Sequence, residues 1–144
     1  MNGADVVAEA RTWIGTRWLH QASHKGLATD CIGLVGGVGE SLALVSSAWR
    51  KDPALRGYGR TPVPEKLLDG CERYLTRILL QAARPGDVLV IAFPLSPQHF
   101  AIVSSLAPLR IIHAYAQRGG VVETQARIPN SRIVRAYRFP GVAE

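Results

Sequence analysis

Cysteine is scarce in this sequence, with 2 among 144 residues. No disulfide scaffold can hold such a chain, so its stability must come from packing. Long apolar runs are missing as well. The longest, Ile32 to Val45, is interrupted by glycines and by Glu40, which excludes a membrane-spanning helix and gives no expectation of membrane insertion. The start, Met1 to Thr12, carries Asp5 and Glu9 and lacks the basic-then-apolar order of a signal peptide. Export by an ordinary secretory leader is therefore not expected. Lysine is rare too: only Lys25, Lys51 and Lys66 stand among 17 basic residues, and the rest are arginine.

What is present describes a globular protein. An apolar content of 47% with 19% charged residues excludes a disordered chain. A length of 144 residues suffices for one domain with a real core, so residues 1–144 are expected to form a single domain. The net charge is +6, and six arginines after Val88 face only Glu123 and Glu144. Arginine favours bidentate contact with carboxylate or phosphate, which points to anionic partners; a solvated surface or a subunit interface would use the same residues. They stand singly among apolar residues with no basic cluster, so specific nucleic-acid binding is not expected.

Periodicity divides the chain into two halves. Asp5–Ile14 reads as a short helix stopped by Gly15. Thr16–Thr29 has no clean period and reads as a loop, and Asp30–Val45 reads as a second helix. The Pro/Gly-rich stretch Asp52–Pro64 predicts a long loop, and Glu65–Ala83 returns to a helical pattern. At Arg84-Pro85-Gly86-Asp87 the character changes. Val88–Phe93, His99–Ser104, Arg110–Ala116, Val121–Thr124 and Ile133–Phe139 read as strands joined by short turns. Helices followed by a run of close strands predict an α+β fold with a meandering antiparallel sheet of about five strands.

Cys31 is the first residue with chemistry to offer. It follows Thr29-Asp30, good helix-capping residues. A thiol in a first helical turn faces unpaired N–H groups and the positive end of the helix dipole, which favour the thiolate. The alternative is a buried apolar cysteine. Cys71, among Leu67, Leu68 and Leu75, reads as core. A nucleophilic cysteine needs a base, and His99 and His113 lie on strands joined by a connection short enough for a hairpin. A turn centred on Leu106 sets them directly opposite. A turn centred on Ala107 makes them diagonal neighbours about 7–8 Å apart at Cα. Both are odd-numbered, so either register puts them on one face, as a base and its orienting partner require. His20 and His24 are four apart but lack the glutamate of a zinc-peptidase motif, and no metal site is expected. The glycines Gly33, Gly36, Gly37 and Gly39 lack the ending of a phosphate loop; inside a helix they suggest close packing or a frayed end.

The ordered set Asp30-Cys31-Ile32-Gly33-Leu34-Val35, Arg84-Pro85-Gly86-Asp87-Val88-Leu89, Gln98-His99-Phe100-Ala101-Ile102 and Ile112-His113-Ala114 resembles the NlpC-like cysteine peptidases, which cut peptides of bacterial cell walls. Trp13-Ile14-Gly15-Thr16-Arg17-Trp18, His20-Gln21-Ala22-Ser23 and Lys25-Gly26 resemble the branch found in phage tails and gene transfer agents. The resemblance implies a papain-like α+β core with the cysteine helix packed on the sheet. It implies Cys31 as nucleophile, His99 as general base and His113 as the residue that orients it. It also implies Asp30 as a holder of the substrate's free amine, and Trp18 stands where a substrate-lining tyrosine is usual. The implied substrate is the peptide stem of peptidoglycan, cut commonly between D-γ-glutamate and a diamino acid, with no metal or organic cofactor. Other tail or baseplate proteins are the implied partners, and a tail particle acting at the cell wall or periplasm is the implied location.

Overall fold

The computed structural model describes residues 1–56, 64–93 and 96–143. Much of the Asp52–Pro64 loop falls on residues 57–63 and lies outside the described residues. Three α-helices are present among the described residues: α1 (Gly3–Arg11), α2 (Cys31–Ser41) and α3 (Pro64–Cys71). The strands are β1 (Arg17–Trp18), β2 (Ser23–His24), β3 (Ala28–Thr29), β4 (Thr76–Ile78), β5 (Val88–Phe93), β6 (Ser96–Leu106), β7 (Leu109–Tyr115), β8 (Gly120–Gln125) and β9 (Ile133–Arg138). They form one sheet in the order β2-β3-β1-β8-β7-β6-β5-β9-β4. The run β5 to β8 is the expected antiparallel meander, and β9 returns to pair with β5.

Two expectations need correction. The segment Thr16–Thr29 is not all loop: it contributes β1, β2 and β3, with β1 and β3 parallel, so the sheet has nine strands rather than about five. Two-residue strands are too short for alternation to reveal them. The helical pattern over Glu65–Ala83 stops at Cys71, and Thr76–Ile78 pairs instead with the open edge of β9. Thr76 and Ile78 are β-branched, and a strand edge in reach outweighs a weak helical preference.

The pleat sorts the core. Even-numbered Phe100, Ile102, Ile112 and Ala114 face the helices and pack with Leu34, Val35 and Val38 of α2. Odd-numbered Ala101, Val103 and Ile111 join Leu89 and Ile91 on the other face. α2 fits this arrangement because it is thin. A Cβ on Gly36 would stand 2.6 Å from the Trp49 ring, and one on Gly37 would stand 2.3 Å from the Trp13 ring. Close packing, not a frayed end, explains these glycines, and the packing partners are indole rings. Gly37→Ala is expected to destabilise the fold by about 1–3 kcal/mol through overpacking. A urea denaturation midpoint equal to wild type would contradict this account.

Candidate active site

Asp30 begins the site. It is the N-cap of α2, and its Oδ1 accepts the Gly33 N–H at 2.8 Å. Its Oδ2 accepts the Gln21 N–H at 2.7 Å and the Arg56 Nη1 at 2.9 Å. Asp30 and Arg56 are both buried, at 4% and 7% exposure. Arg56 also donates to the Ala22 carbonyl at 3.3 Å and lies 5.2 Å from the centre of the Trp49 ring. No sequence pattern points to Arg56, which follows a turn without period and lies far from Asp30 along the chain.

Cys31 occupies the first position of α2 and is half-buried, lying against the backbone of Ile32 and Phe100. Phe100 follows His99. Here β6 has passed the end of its ladder with β7, which runs from Ile102↔Ile112 to Leu106↔Leu109. The pairs Ile102↔Ile112 and Val103↔Ile111 centre the turn on Ala107, so the two histidines are diagonal rather than directly opposed. Their rings meet: His99 Nε2 lies 2.7 Å from His113 Nδ1, and His113 Nε2 lies 2.9 Å from Thr124 Oγ1. Phe93 and Tyr115 complete an aromatic cluster. Tyr115 stacks on His113 with centroids 5.2 Å apart, and Phe93 lies 5.0 Å from His99. Sequence reasoning missed Thr124 and Tyr115, although the alternation that paired the histidines also puts Tyr115 on their face.

Burial governs the charges. His99 and His113 are 2% and 3% exposed. Loss of water lowers His99 to about 3 and His113 to about 4, with His113 adding to the first and Arg118 to the second. The Cys31 thiol is pushed up to about 12, first by burial and then by the Asp30 charge; the Phe100 backbone and Arg56 pull the other way without prevailing. Burial thus acts against the thiolate that the helix end favours, and it favours neutral imidazoles as well. Cys71 is core, at 4% exposure, and burial pushes it to about 12 as well.

Of the remaining sequence candidates, Trp18 is half-buried, stacks on His20 at 6.5 Å, and donates its backbone N–H to the Gly119 carbonyl at 2.9 Å. Asp87 does more than turn the chain: buried at 2% exposure, it binds Arg138 through two bonds of 2.9 and 2.8 Å.

Two outcomes follow from these contacts. Arg56→Met removes the partner of a buried carboxylate and is expected to cost about 3–5 kcal/mol; a thermal denaturation curve unchanged from wild type would refute it. The histidines set the pH response. Above their ordinary value of 6.5 the rings are neutral folded or unfolded, and their contribution is fully present. As the pH falls towards 4 the unfolded chain takes protons that the buried rings refuse, so stability drops by about 1.4 kcal/mol per pH unit for each histidine. Denaturant titrations at pH 7, 6, 5 and 4 measure the slope, and His113→Asn should reduce it.

No family model matches the sequence, and no curated protein matches it. Solved structures do. NlpC1 from Trichomonas vaginalis superposes with a TM-score of 0.65 at 17% identity, over 95% of this chain and 44% of that one. The NlpC/p60 domain of the peptidoglycan hydrolase SagA gives 0.61 at 25% identity, over 95% of this chain and 98% of the domain. A lipoprotein-like NLP/P60 family protein from Staphylococcus aureus gives 0.58 at 17% identity, over 96% of this chain and 41% of that one. The chain thus spans under half the length of the Trichomonas and staphylococcal proteins and nearly all of the SagA domain. With α2 capped by Asp30 and packed on a sheet whose central strands bring His99 and His113 together, the chain has the papain-like α+β fold of the NlpC/p60 domains.

Proposed function

We propose that this protein is a cysteine peptidase that hydrolyses stem peptides of peptidoglycan. The observation that carries the reading is the linear array His99–His113–Thr124, with Cys31 lying against the Phe100 backbone beside His99. The likeness to a domain from a peptidoglycan hydrolase supports it. In this reading His99 Nδ1 accepts the thiol proton as the Cys31 sulfur attacks the scissile carbonyl. His99 Nε2–H donates to His113 Nδ1, and His113 Nε2–H donates to Thr124 Oγ1, which fixes both tautomers. The imidazolium then returns its proton to the leaving amine, and water hydrolyses the thioester with His99 again as base. The Cys31 N–H at the start of α2 contributes to the oxyanion hole. Asp30 has committed three of its roughly four acceptor directions to the protein, which leaves one for the substrate's amine.

The neutral resting pair gives His99 its task. In this reading the thiol proton moves to His99 in the course of attack, by general-base catalysis. The bond between D-γ-glutamate and a diamino acid is the proposed point of cleavage. Carriage on the tail of a phage or gene transfer agent, among tail or baseplate proteins, completes the proposal on the resemblance of residues 13–26.

Digestion of purified muropeptides, followed by mass spectrometry, tests the reading. Cys31→Ala and His99→Ala should each reduce product by about a thousandfold or more, and His113→Ala by about a hundredfold or more. Equal product from wild type and Cys31→Ala would sink it. That result would favour a second reading, a tail-tip or baseplate subunit that keeps the fold without the activity, for which the raised proton affinity of the Cys31 thiol speaks.

A further inference from the structure

The six arginines after Val88 separate by what they meet. Arg110 reaches Glu123 at 3.7 Å, Arg135 pairs with Glu72, and Arg138 pairs with Asp87 at 2.8 Å. Arg132 reaches the Ala92 carbonyl at 3.5 Å. Arg118 and Arg127 meet no carboxylate among the described residues. Both nevertheless line one cavity of about 280 Å³, whose other walls include Phe93, His113, Tyr115 and Thr124. Two of the three cations without a carboxylate in this part of the chain therefore converge beside His113.

We propose that this cavity is a subsite for a carboxylate-bearing residue of the peptide substrate, with Arg118 and Arg127 as its ionic partners. The proposal rests on the peptidase reading and specifies which part of the peptide lies beside His113. Guanidinium groups bind carboxylates through paired, charge-assisted bonds, and the aromatic walls supply apolar contact for the rest of the residue. The cavity is smaller than the roughly 300–1,000 Å³ of sites for drug-sized ligands, so it suits one amino-acid residue rather than a glycan chain. Arg118 is held in place by its surroundings. It ends a short turn closed by Gly119 at φ +77°, and the Gly119 carbonyl accepts the Trp18 N–H at 2.9 Å. The turn is thus tied to the segment that carries Trp18, the residue singled out for substrate contact on sequence grounds. Arg118 is also close enough to depress the proton affinity of His113, and a bound carboxylate would relieve that effect.

The test uses the full chain carrying Cys31→Ala, so that binding is read without turnover. The probes are the tripeptide L-Ala-γ-D-Glu-L-Lys and the same tripeptide with both carboxyls amidated. Calorimetric titration should show about tenfold tighter binding of the acid form. Adding Arg118→Gln and Arg127→Gln should erase that preference, while the melting temperature stays that of the Cys31→Ala chain, because both arginines are exposed. Equal affinity for acid and amide, including no binding of either, overturns the subsite; so does a preference that survives loss of both arginines. Muropeptide cleavage by wild type is scored separately. Its failure would remove the peptidase reading, while the acid-over-amide preference still decides whether the cavity takes a carboxylate.

Discussion

A buried carboxylate holds this site together. Alone at 4% exposure, the Asp30 charge would be costly; two backbone N–H groups and the Arg56 guanidinium offset that cost. Each bond fixes a different piece of chain. The Gly33 N–H starts α2, the Gln21 N–H pins the segment between β1 and β2, and Arg56 anchors the turn over residues 53–56. Arg56 in turn lies over Trp49, whose ring occupies the space that a side chain at position 36 would need. Cys31 comes next after Asp30, so its place against β6 is inherited from this ion pair.

The same dryness that fixes the reactive side chains opposes their ionisation. A helix N-terminus stabilises a negative charge by about 0.3–1 kcal/mol, up to about 2 in partly buried settings. Raising a thiol from 9.0 to about 12 corresponds to roughly 4 kcal/mol. Burial and the neighbouring carboxylate together win by magnitude. The array of His99, His113 and Thr124 answers this constraint without charge. Each ring uses one nitrogen to direct the other, so a neutral imidazole presents its lone pair in one direction.

The strands from Val88 onward were legible because each is long enough for its pattern to show, and turn residues separate them. Parity alone put His99 and His113 on one face, and capping chemistry alone put Cys31 at a helix start. The register was legible only as two alternatives, since a shift of one residue in the turn centre changes neither composition nor parity. Thr76–Ile78 and the strands within Thr16–Thr29 were not legible, because strands of two or three residues are chosen by the sheet edges they meet. Arg56 was invisible for a different reason: a long-range ion pair leaves no local pattern, and only the folded chain brings it to Asp30.

Net charge proved the least informative sequence quantity until the structure sorted it. Among the arginines after Val88, Arg135 and Arg138 join β9 to Glu72 and Asp87, and Arg110 faces Glu123 across two adjacent strands. Such pairs hold elements in register and cancel their own fields at a distance. Of the three that remain, Arg132 meets a backbone carbonyl, and the other two set their guanidinium groups on the wall of one cavity that also contains His113. A diffuse positive surface would attract any polyanion, whereas two charges set against aromatic walls discriminate by geometry, since the anion must arrive attached to something small and apolar. Among the arginines after Val88 the ion-paired ones cancel against their carboxylates, and two of the three without a carboxylate among the described residues lie beside His113.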